Sequence, residues 1–158
     1  MKVDGLIKYL KAFNKAKVLV LGDVMMDHFI WGKVSRISPE APVPVVNVTN
    51  ETLLLGGAAN VVNNITSLGG KAEICGVIGN DDMGRSFIKE IKSKGISEDG
   101  IFYDDRPTTV KTRIIAHSQQ VVRFDREQKD EISIKTQNSI YEFINKRIKN
   151  IDVLTISD

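Results

Sequence analysis

The chain of 158 residues contains 42% hydrophobic and 27% charged residues, a balance that excludes a disordered chain and fits one globular domain with a sizeable core. Its net charge of +2 gives no reason to expect a nucleic acid or an anionic membrane surface as a partner. We recognise no signal peptide and no apolar run of membrane-spanning length, and the single cysteine, Cys75, lies in an apolar run. We therefore expect a cytoplasmic protein with a buried, unreactive thiol.

Apolar strands alternate with amphipathic helices through most of the chain. Residues 17–21 form a nearly unbroken apolar run, which is typical of a strand buried on both faces of a parallel sheet. Similar runs predict core strands over 72–78 and 152–157. Apolar residues at helical spacing predict helices over about 6–13, 58–68, 87–94 and 140–148. This alternation predicts an α/β fold with a mainly parallel core sheet.

Two pairs of strands do not fit the alternation. Strands at 29–34 and 43–48 come with prolines at 39, 42 and 44, which exclude a helix and favour edge strands. Strands at 108–116 and 120–125 are joined by a short turn, which predicts a hairpin. We expect both pairs to form a small second sheet that projects from the core. The chain then divides, within one domain, into a core at about 1–27, 56–106 and 127–158 and projecting strands at about 28–55 and 107–126.

A pair of glycines, Gly56 and Gly57, stands where a strand or loop passes into the helix that begins near Ala58. Glycine at such a corner lets backbone N–H groups approach a ligand, and the helix then directs its N-terminal donors and its dipole at that ligand. Asn60 lies one turn inside the helix and could contact the same ligand or simply face solvent. The glycine pair could also be a packing corner without a ligand.

Acidic residues follow the predicted core strands. Asp23 comes after the first, the segment 79–81 after the second and Asp158 after the third. Because ligands of open parallel sheets bind at the carboxyl ends of the strands, we expect these groups at one edge, where carboxylates can accept hydrogen bonds from a polyol. Simpler roles stay open: Asp23 could cap a turn, 79–81 could cap the next helix, and Asp27 could pair with a nearby cation.

Basic side chains mark one face of the predicted hairpin. Lys111 and Arg113 share a face of its first strand, and Arg123 lies on the second. Such cations suit an anionic group such as a phosphate, although charged faces also protect edge strands from aggregation. The two histidines are not at metal-ligand spacing with Cys75 or each other, so we expect no metal site. We expect Trp31 to pack in the small sheet or in an interface.

Several of these motifs resemble those of the ribokinase-like (PfkB) carbohydrate kinases. The glycine corner with Asn60, followed by Gly69 and Gly79, is similar to the first signature of that family, and the run from Gly76 to Gly84 also resembles the family. A closer similarity, from about Lys17 to Asp158, is to its D-glycero-β-D-manno-heptose 7-phosphate kinases. The matching segments are 22–27, 36–45, 109–113, 119–120, 123, 125–127 and 157–158. The stretch 37–44 is specific to those kinases, whereas the glycine motif marks only the superfamily.

The resemblance implies a three-layer α/β/α domain with a protruding β lid and a homodimer formed through the lid. It implies ATP- and Mg²⁺-dependent phosphorylation of the sugar phosphate at C1, often in the N-terminal half of a bifunctional kinase/adenylyltransferase that makes ADP-heptose for lipopolysaccharide. By the same resemblance, sugar hydroxyls would be held at the glycine corner and the strand ends, and the 7-phosphate would meet the lid. The implied sugar contacts are Asp23, Gly56, Gly57 and Asn60, then Asp27 and Asp158; the implied phosphate contacts are Lys111, Arg113 and Arg123.

One expected motif does not occur in this sequence. In the kinases that it resembles, a Gly-Ala-Gly-Asp motif carries the anion hole and the catalytic Asp, and the 158 residues do not contain it. We therefore expect the N-terminal half of a kinase domain, without a catalytic residue, inactive alone and binding ATP and Mg²⁺ poorly. Two other functions stay open: a PfkB-type kinase for a ribose- or fructose-like sugar, and a non-catalytic module for sugar-phosphate binding or dimerisation.

Overall fold

The structure, a computed structural model, describes residues 11–157. Most of the helix predicted over 6–13 and the candidate site residue Asp158 therefore lie outside the described residues. Within 11–157 the chain forms eight strands and three α-helices. The strands are β1 (Lys17–Gly22), β2 (Val24–Ile37), β3 (Pro44–Gly57), β4 (Lys71–Gly79), β5 (Ile101–Asp104), β6 (Val110–Ala116), β7 (Gln119–Arg126) and β8 (Val153–Ser157). The helices are α1 (Ala58–Ser67), α2 (Asp82–Ser93) and α3 (Ile134–Arg147), with short 3₁₀ turns at Phe13–Lys15 and Ile148–Asn150.

The core sheet is parallel, in the order β5-β4-β1-β8. The three predicted core strands are confirmed, and β5 is an addition that the sequence analysis missed. Apolar side chains of β1 and β4 face helices α1 and α2, with Val20, Ile74, Ile78, Phe87 and Ile91 almost fully buried. Each such burial contributes roughly 1.5–3 kcal/mol to folding. The parallel strands, alternating with helices, confirm the α/β fold.

The four remaining strands form one separate sheet, in the order β3-β2-β6-β7, which we call the lid. Strands β2 and β3 pair antiparallel from Val24 opposite Gly57 to Ile37 opposite Pro44, and β2 pairs parallel with β6. The prediction of a second sheet is confirmed, and β3, which begins at Pro44, is an edge strand as expected. The same expectation is wrong for β2, which pairs with β3 on one side and with β6 on the other. Both β2 and β3 are longer than predicted, because they continue to the core.

The β6–β7 hairpin is also confirmed. His117 and Ser118 both have positive φ, 50° and 62°, which is the backbone of the tight two-residue turns that match the twist of a hairpin. Trp31 packs in the lid as expected: its ring stacks on Phe29 with 6.1 Å between the ring centroids, and 39% of the residue stays exposed.

Cys75 lies on β4 and is fully buried, as predicted. Burial raises the pKa of its thiol from 9.0 to about 11. Below pH 9.0 the thiol is neutral in both the folded and the unfolded chain, so its contribution to stability is fully present. Above pH 9.0 the unfolded chain loses the proton first, and this contribution is lost as the pH rises through about 11. Between these values the free energy of unfolding should fall by up to about 1.4 kcal/mol per pH unit.

Urea unfolding of the chain and of Cys75→Ala, from neutral pH to about pH 10.5, measures this effect. The variant is less stable at neutral pH because it leaves a small cavity, but it lacks the thiol's share of the slope against pH. Equal slopes for the two proteins would show that the thiol does not titrate differently in the folded and unfolded chains.

Candidate functional site

An open cleft of about 850 Å³ lies between the carboxyl ends of β1 and β4 and the inner face of the lid. Five residues predicted for the site line it: Asp23, Asp27, Gly57, Lys111 and Arg113. The structure therefore brings together two acids, two cations and the second glycine of the corner. The segment 127–130, which leads from the lid towards α3, closes the same cleft from the other side.

The glycine corner holds the chain segment that carries the two aspartates. The N–H of Ala58, at the start of α1, donates a hydrogen bond to the Asp23 carbonyl oxygen (2.8 Å), so this helix donor is used by the backbone. Gly57 has φ of +55°, and a Cβ there would lie 2.2 Å from that carbonyl oxygen. A Cβ on Gly56 would lie 2.6 Å from Asp27 Oδ2. Both glycines are thus required by close packing against residues 23–27, and Gly56 itself is buried beneath the Asp27 carboxylate.

Asp27 and Arg113 form an ion pair on the inner face of the lid. Arg113 Nη1 donates to Asp27 Oδ1 at 2.5 Å, and the side chains are 23% and 24% exposed. The guanidinium also lies over the Phe29 ring, 5.3 Å from its centroid. Stacking and pairing together fix the plane of the guanidinium, and its remaining N–H donors stay available for an anion in the cleft.

Besides the exposed Lys129, which pairs with Glu127, two further cations line the cleft. Lys111 stands opposite Asp27 in the β2–β6 register and is half-buried, with no ion pair to any described residue. Arg106, which the sequence analysis missed, lines the cleft just before β6. One of its nitrogens donates to the Asp130 carbonyl oxygen at 2.6 Å, whereas its buried Nε has no hydrogen-bond partner. Cations from three positions can therefore meet an anionic group of a ligand.

Besides the buried Gly56, three predicted site residues do not line the cleft or lie outside the described residues. Asn60 is exposed on α1 and does not line this cleft. Arg123 is exposed on β7, pairs with Asp125 at 3.0 Å and does not line the cleft either. Asp158 lies outside the described residues. The helix-capping alternative for 79–81 is confirmed, because Asp81 caps α2 by accepting a hydrogen bond from the Gly84 N–H (2.7 Å).

Asp81 is also bonded to the chain that leads into the lid. Its carboxylate accepts hydrogen bonds from the N–H and the hydroxyl of Thr108, at 2.9 and 2.8 Å. Desolvation raises the pKa of Asp81, but the hydrogen bonds from Gly84 and Thr108, with the charge of Arg126, outweigh it and hold the pKa below its usual value. Asp81 is therefore a charged structural group and does not open into the cleft.

Comparison with protein families decides the class of protein. The family described as pfkB family carbohydrate kinase matches residues 15–158, which is most of the chain. The chain belongs to the pfkB family of carbohydrate kinases. The resemblance of the sequence motifs to this family is thereby confirmed, and the chain carries part of a kinase, that is, of a phosphotransferase.

Relatives of this pfkB chain reach nearly half sequence identity. It is 49% identical over 143 residues to the bifunctional protein HldE of Helicobacter pylori strain J99, and this match covers 90% of the chain and 31% of the relative. The HldE of Geotalea uraniireducens is 48% identical over 146 residues, covering 92% and 30%. The chain thus spans about a third of the length of the curated relatives it matches.

Solved structures confirm the ribokinase-like fold of this pfkB chain. A carbohydrate kinase from Agrobacterium tumefaciens superposes with a TM-score of 0.66 at 20% identity, covering 89% of the chain and 45% of the other protein. The Methanocaldococcus jannaschii nucleoside kinase, an archaeal member of the ribokinase family, gives a TM-score of 0.53 at 19% identity, covering 69% and 36%.

None of the helices within residues 11–157 has the length and apolar character needed to cross a bilayer.

Proposed function

We propose that the chain forms the acceptor-sugar side of a kinase that transfers the ATP γ-phosphoryl group to C1 of D-glycero-β-D-manno-heptose 7-phosphate. The observation that carries the proposal is the cleft, in which Asp23 and Asp27 lie on the same side as the glycine corner and three cations, Arg106, Lys111 and Arg113, line it as well; the segment 127–130 adds Glu127, Lys129 and Asp130 to its rim. A polyol with a phosphate group has the complementary chemistry, because carboxylates accept from hydroxyls and guanidinium groups pair with phosphate. The similarity to HldE proteins and the segment 37–44 support heptose over other sugars.

The proposal gives each side of the cleft a role. Asp23 and Asp27 accept hydrogen bonds from sugar hydroxyls and so orient the acceptor ring. Arg106, Lys111 and Arg113 neutralise the phosphate that the sugar already carries, which fixes the opposite end of the substrate. A substrate held at both ends presents one hydroxyl in a defined direction, which is the main protein contribution to phosphoryl transfer. Gly57, which lines the cleft, also stays in the proposed substrate-binding set. Gly56, Asn60, Arg123 and Asp158 stay in it on the family resemblance alone.

ATP and Mg²⁺ are the donor and the cation that kinases of this family use in general. Within residues 11–157, no three His, Cys, Asp or Glu side chains are grouped so that they could hold a metal ion. The Gly-Ala-Gly-Asp sequence is also absent from the 158 residues. Without that motif the chain does not supply the donor side of the site by itself, and we propose no step on the donor side for the described residues.

The choice of sugar is tested by calorimetry on the chain and by turnover of the complete gene product. We expect heptose 7-phosphate to bind at least about tenfold more tightly than ribose or fructose 6-phosphate, which equals a difference of about 1.4 kcal/mol. Asp23→Ala should weaken binding by about 10–100-fold, because the sugar hydroxyls lose their acceptor in a partly desolvated site.

Asp82→Ala is the matched control for this test, since Asp82 is 94% exposed on α2 and does not line the cleft. Equal use of ribose or fructose 6-phosphate by the complete gene product would replace the heptose proposal with another pfkB-type sugar kinase. Tight binding of heptose 7-phosphate by a gene product that never consumes ATP would favour the non-catalytic binding module instead.

We further propose a homodimer formed through the lid, in the cytoplasm. The lid presents exposed apolar side chains such as Leu54 and Phe124, and a buried free thiol is typical of a reducing compartment. Sedimentation velocity over a wide range of concentrations measures the association. A monomer at every concentration of the complete gene product would exclude the dimer.

A further inference from the structure

Thr108 joins the core to the lid strand that carries the cleft cations. It lies two residues before β6 and is almost fully buried, with 1% of the residue exposed. Its N–H and hydroxyl donate to the two oxygens of Asp81, and its hydroxyl oxygen accepts from the Gly79 N–H at 3.0 Å. Three hydrogen bonds therefore hold the start of the lid strand against the end of β4. We call this set of contacts the Asp81–Thr108 clasp.

The clasp is closely packed on the sides that face Gly79 of β4 and Gly84 of α2. A Cβ on Gly79 would lie 2.1 Å from the Arg106 carbonyl oxygen, and a Cβ on Gly84 would lie 3.0 Å from the Thr108 hydroxyl oxygen. The segment 106–108 therefore cannot shift towards β4 or α2, and hydrogen bonds oppose its moving away. Among the described residues, Asp81 is the carboxylate that binds both the first turn of α2 and the lid strand.

The clasp also fixes the register of the lid. Directly after Thr108, the carbonyl oxygen of Thr109 accepts from the Met26 N–H (2.9 Å), and parallel pairing of β2 with β6 begins there. That register places Lys111 opposite Asp27 and Arg113 opposite Phe29. A shift of the first residues of β6 would displace Lys111 and Arg113 together. The aspartates would not follow, because β1 and the glycine corner hold them in place.

We propose that Asp81 and Thr108 are positioning residues, which set the distance between the phosphate-binding cations of β6 and the sugar-binding aspartates at the start of β2, Asp23 and Asp27. The proposal rests on the proposed function for its ligand. It assigns a task in substrate recognition to two residues that do not open into the cleft. A displacement of these cations by a fraction of an ångström weakens binding of the phosphate group more than binding of the sugar ring.

The decisive variant is Thr108→Val, which keeps the shape of the side chain and removes the hydroxyl. We expect the Kd for heptose 7-phosphate to rise by about tenfold and the Kd for unphosphorylated heptose by less than about twofold. Thr108→Ser restores the hydroxyl and should recover most of the affinity. If Thr108→Val does not fold, Asp81→Asn takes its place, because it retains an acceptor for the Gly84 N–H. The same changes in the two Kd values are then expected for Asp81→Asn.

Ser133→Ala is the matched structural control. Ser133 caps α3 by accepting a hydrogen bond from the Thr136 N–H at 3.2 Å. Its replacement by alanine removes this cap but no hydrogen bond of the Asp81–Thr108 clasp. The positioning role is overturned if Ser133→Ala raises the Kd as much as Thr108→Val does. It is also overturned if Thr108→Val weakens both sugars equally, or if Thr108→Ser recovers nothing.

Hydrogen exchange separates this proposal from the proposed function. In the clasp variants, amides of 110–116 should exchange faster, by about tenfold or more, while those of β4 do so to a smaller extent. This result would support the clasp even if the unchanged protein did not bind heptose 7-phosphate, in which case only the assigned ligand would be wrong. Unchanged exchange at 110–116 would overturn the clasp whatever the ligand.

Discussion

Gly57→Ala is expected to lower the free energy of unfolding by more than about 3 kcal/mol, because two separate penalties act at this residue. The backbone has φ of +55° with ψ of −136°, a combination that L-residues rarely adopt and that costs them about 1–3 kcal/mol. The new Cβ would also lie 2.2 Å from the Asp23 carbonyl oxygen and 2.9 Å from the Met25 side chain. Moving Asp23 away breaks its hydrogen bond with the first N–H of α1, so strain spreads to the junction of core and lid.

Gly69 supplies the control for this prediction. It also has positive φ, 84°, but a Cβ there would meet nothing within 4 Å. Gly69→Ala should therefore show the backbone penalty alone, about 1 kcal/mol. Urea unfolding, followed by circular dichroism, compares the two variants. A loss in Gly57→Ala no larger than that in Gly69→Ala would mean that the corner relaxes freely, and that its glycine is not needed for packing.

Periodicity predicted the core and the lid because both follow from local patterns. The runs at 17–21 and 72–78 are long, apolar and bounded by glycine or charge, so few other structures suit them. Strand β5 was missed because its four residues form only a short run, and its pairing with β4 depends on contacts distant in sequence. The prolines before β3 identified an edge strand but could not show that β2 and β3 reach back to the core.

Residues of the site were predicted to different extents for physical reasons. Asp23 and Lys111 could be found because strand ends and strand faces are encoded by position in the sequence. Arg106 could not, since it lies in an irregular segment after an unrecognised strand. The glycine pair was correctly located, but its role against Asp23 and Asp27 depends on φ and on interatomic distances that a sequence pattern does not contain.

Arg113→Ala is expected to raise the KM of the complete gene product for heptose 7-phosphate by about 10–100-fold, the value of one charged hydrogen-bonding partner. KM for unphosphorylated heptose should rise by no more than about threefold, because Arg113 is assigned to the phosphate. Steady-state kinetics with both sugars measures the ratio. Arg113→Lys should recover part of the loss, since it restores the charge without the planar fork that stacks on Phe29.

Two other arginines serve as controls, one on α2 and one on the strand next to that of Arg113. Arg85 is exposed on α2 beside Asp82, outside the cleft, and its replacement by alanine should leave both KM values unchanged. Arg123 stands directly opposite Arg113 in the hairpin but pairs with Asp125 and is exposed. Its replacement should therefore have a smaller effect than Arg113→Ala. An equal effect of the two would mean that the phosphate contacts β7 as well as β6.

Asp27, the ion-pair partner of Arg113, contributes to the loss expected for Arg113→Ala. Removing the guanidinium leaves the Asp27 carboxylate unpaired and about three-quarters buried, which repels an incoming phosphate and adds to the loss. The double variant Asp27→Asn, Arg113→Ala removes that repulsion, so its KM for the phosphorylated sugar should be lower than that of Arg113→Ala alone. A double variant that is worse than Arg113→Ala would show that Asp27 acts mainly on the sugar hydroxyls. In that case the ion pair would serve to orient the carboxylate and not to tune the cation.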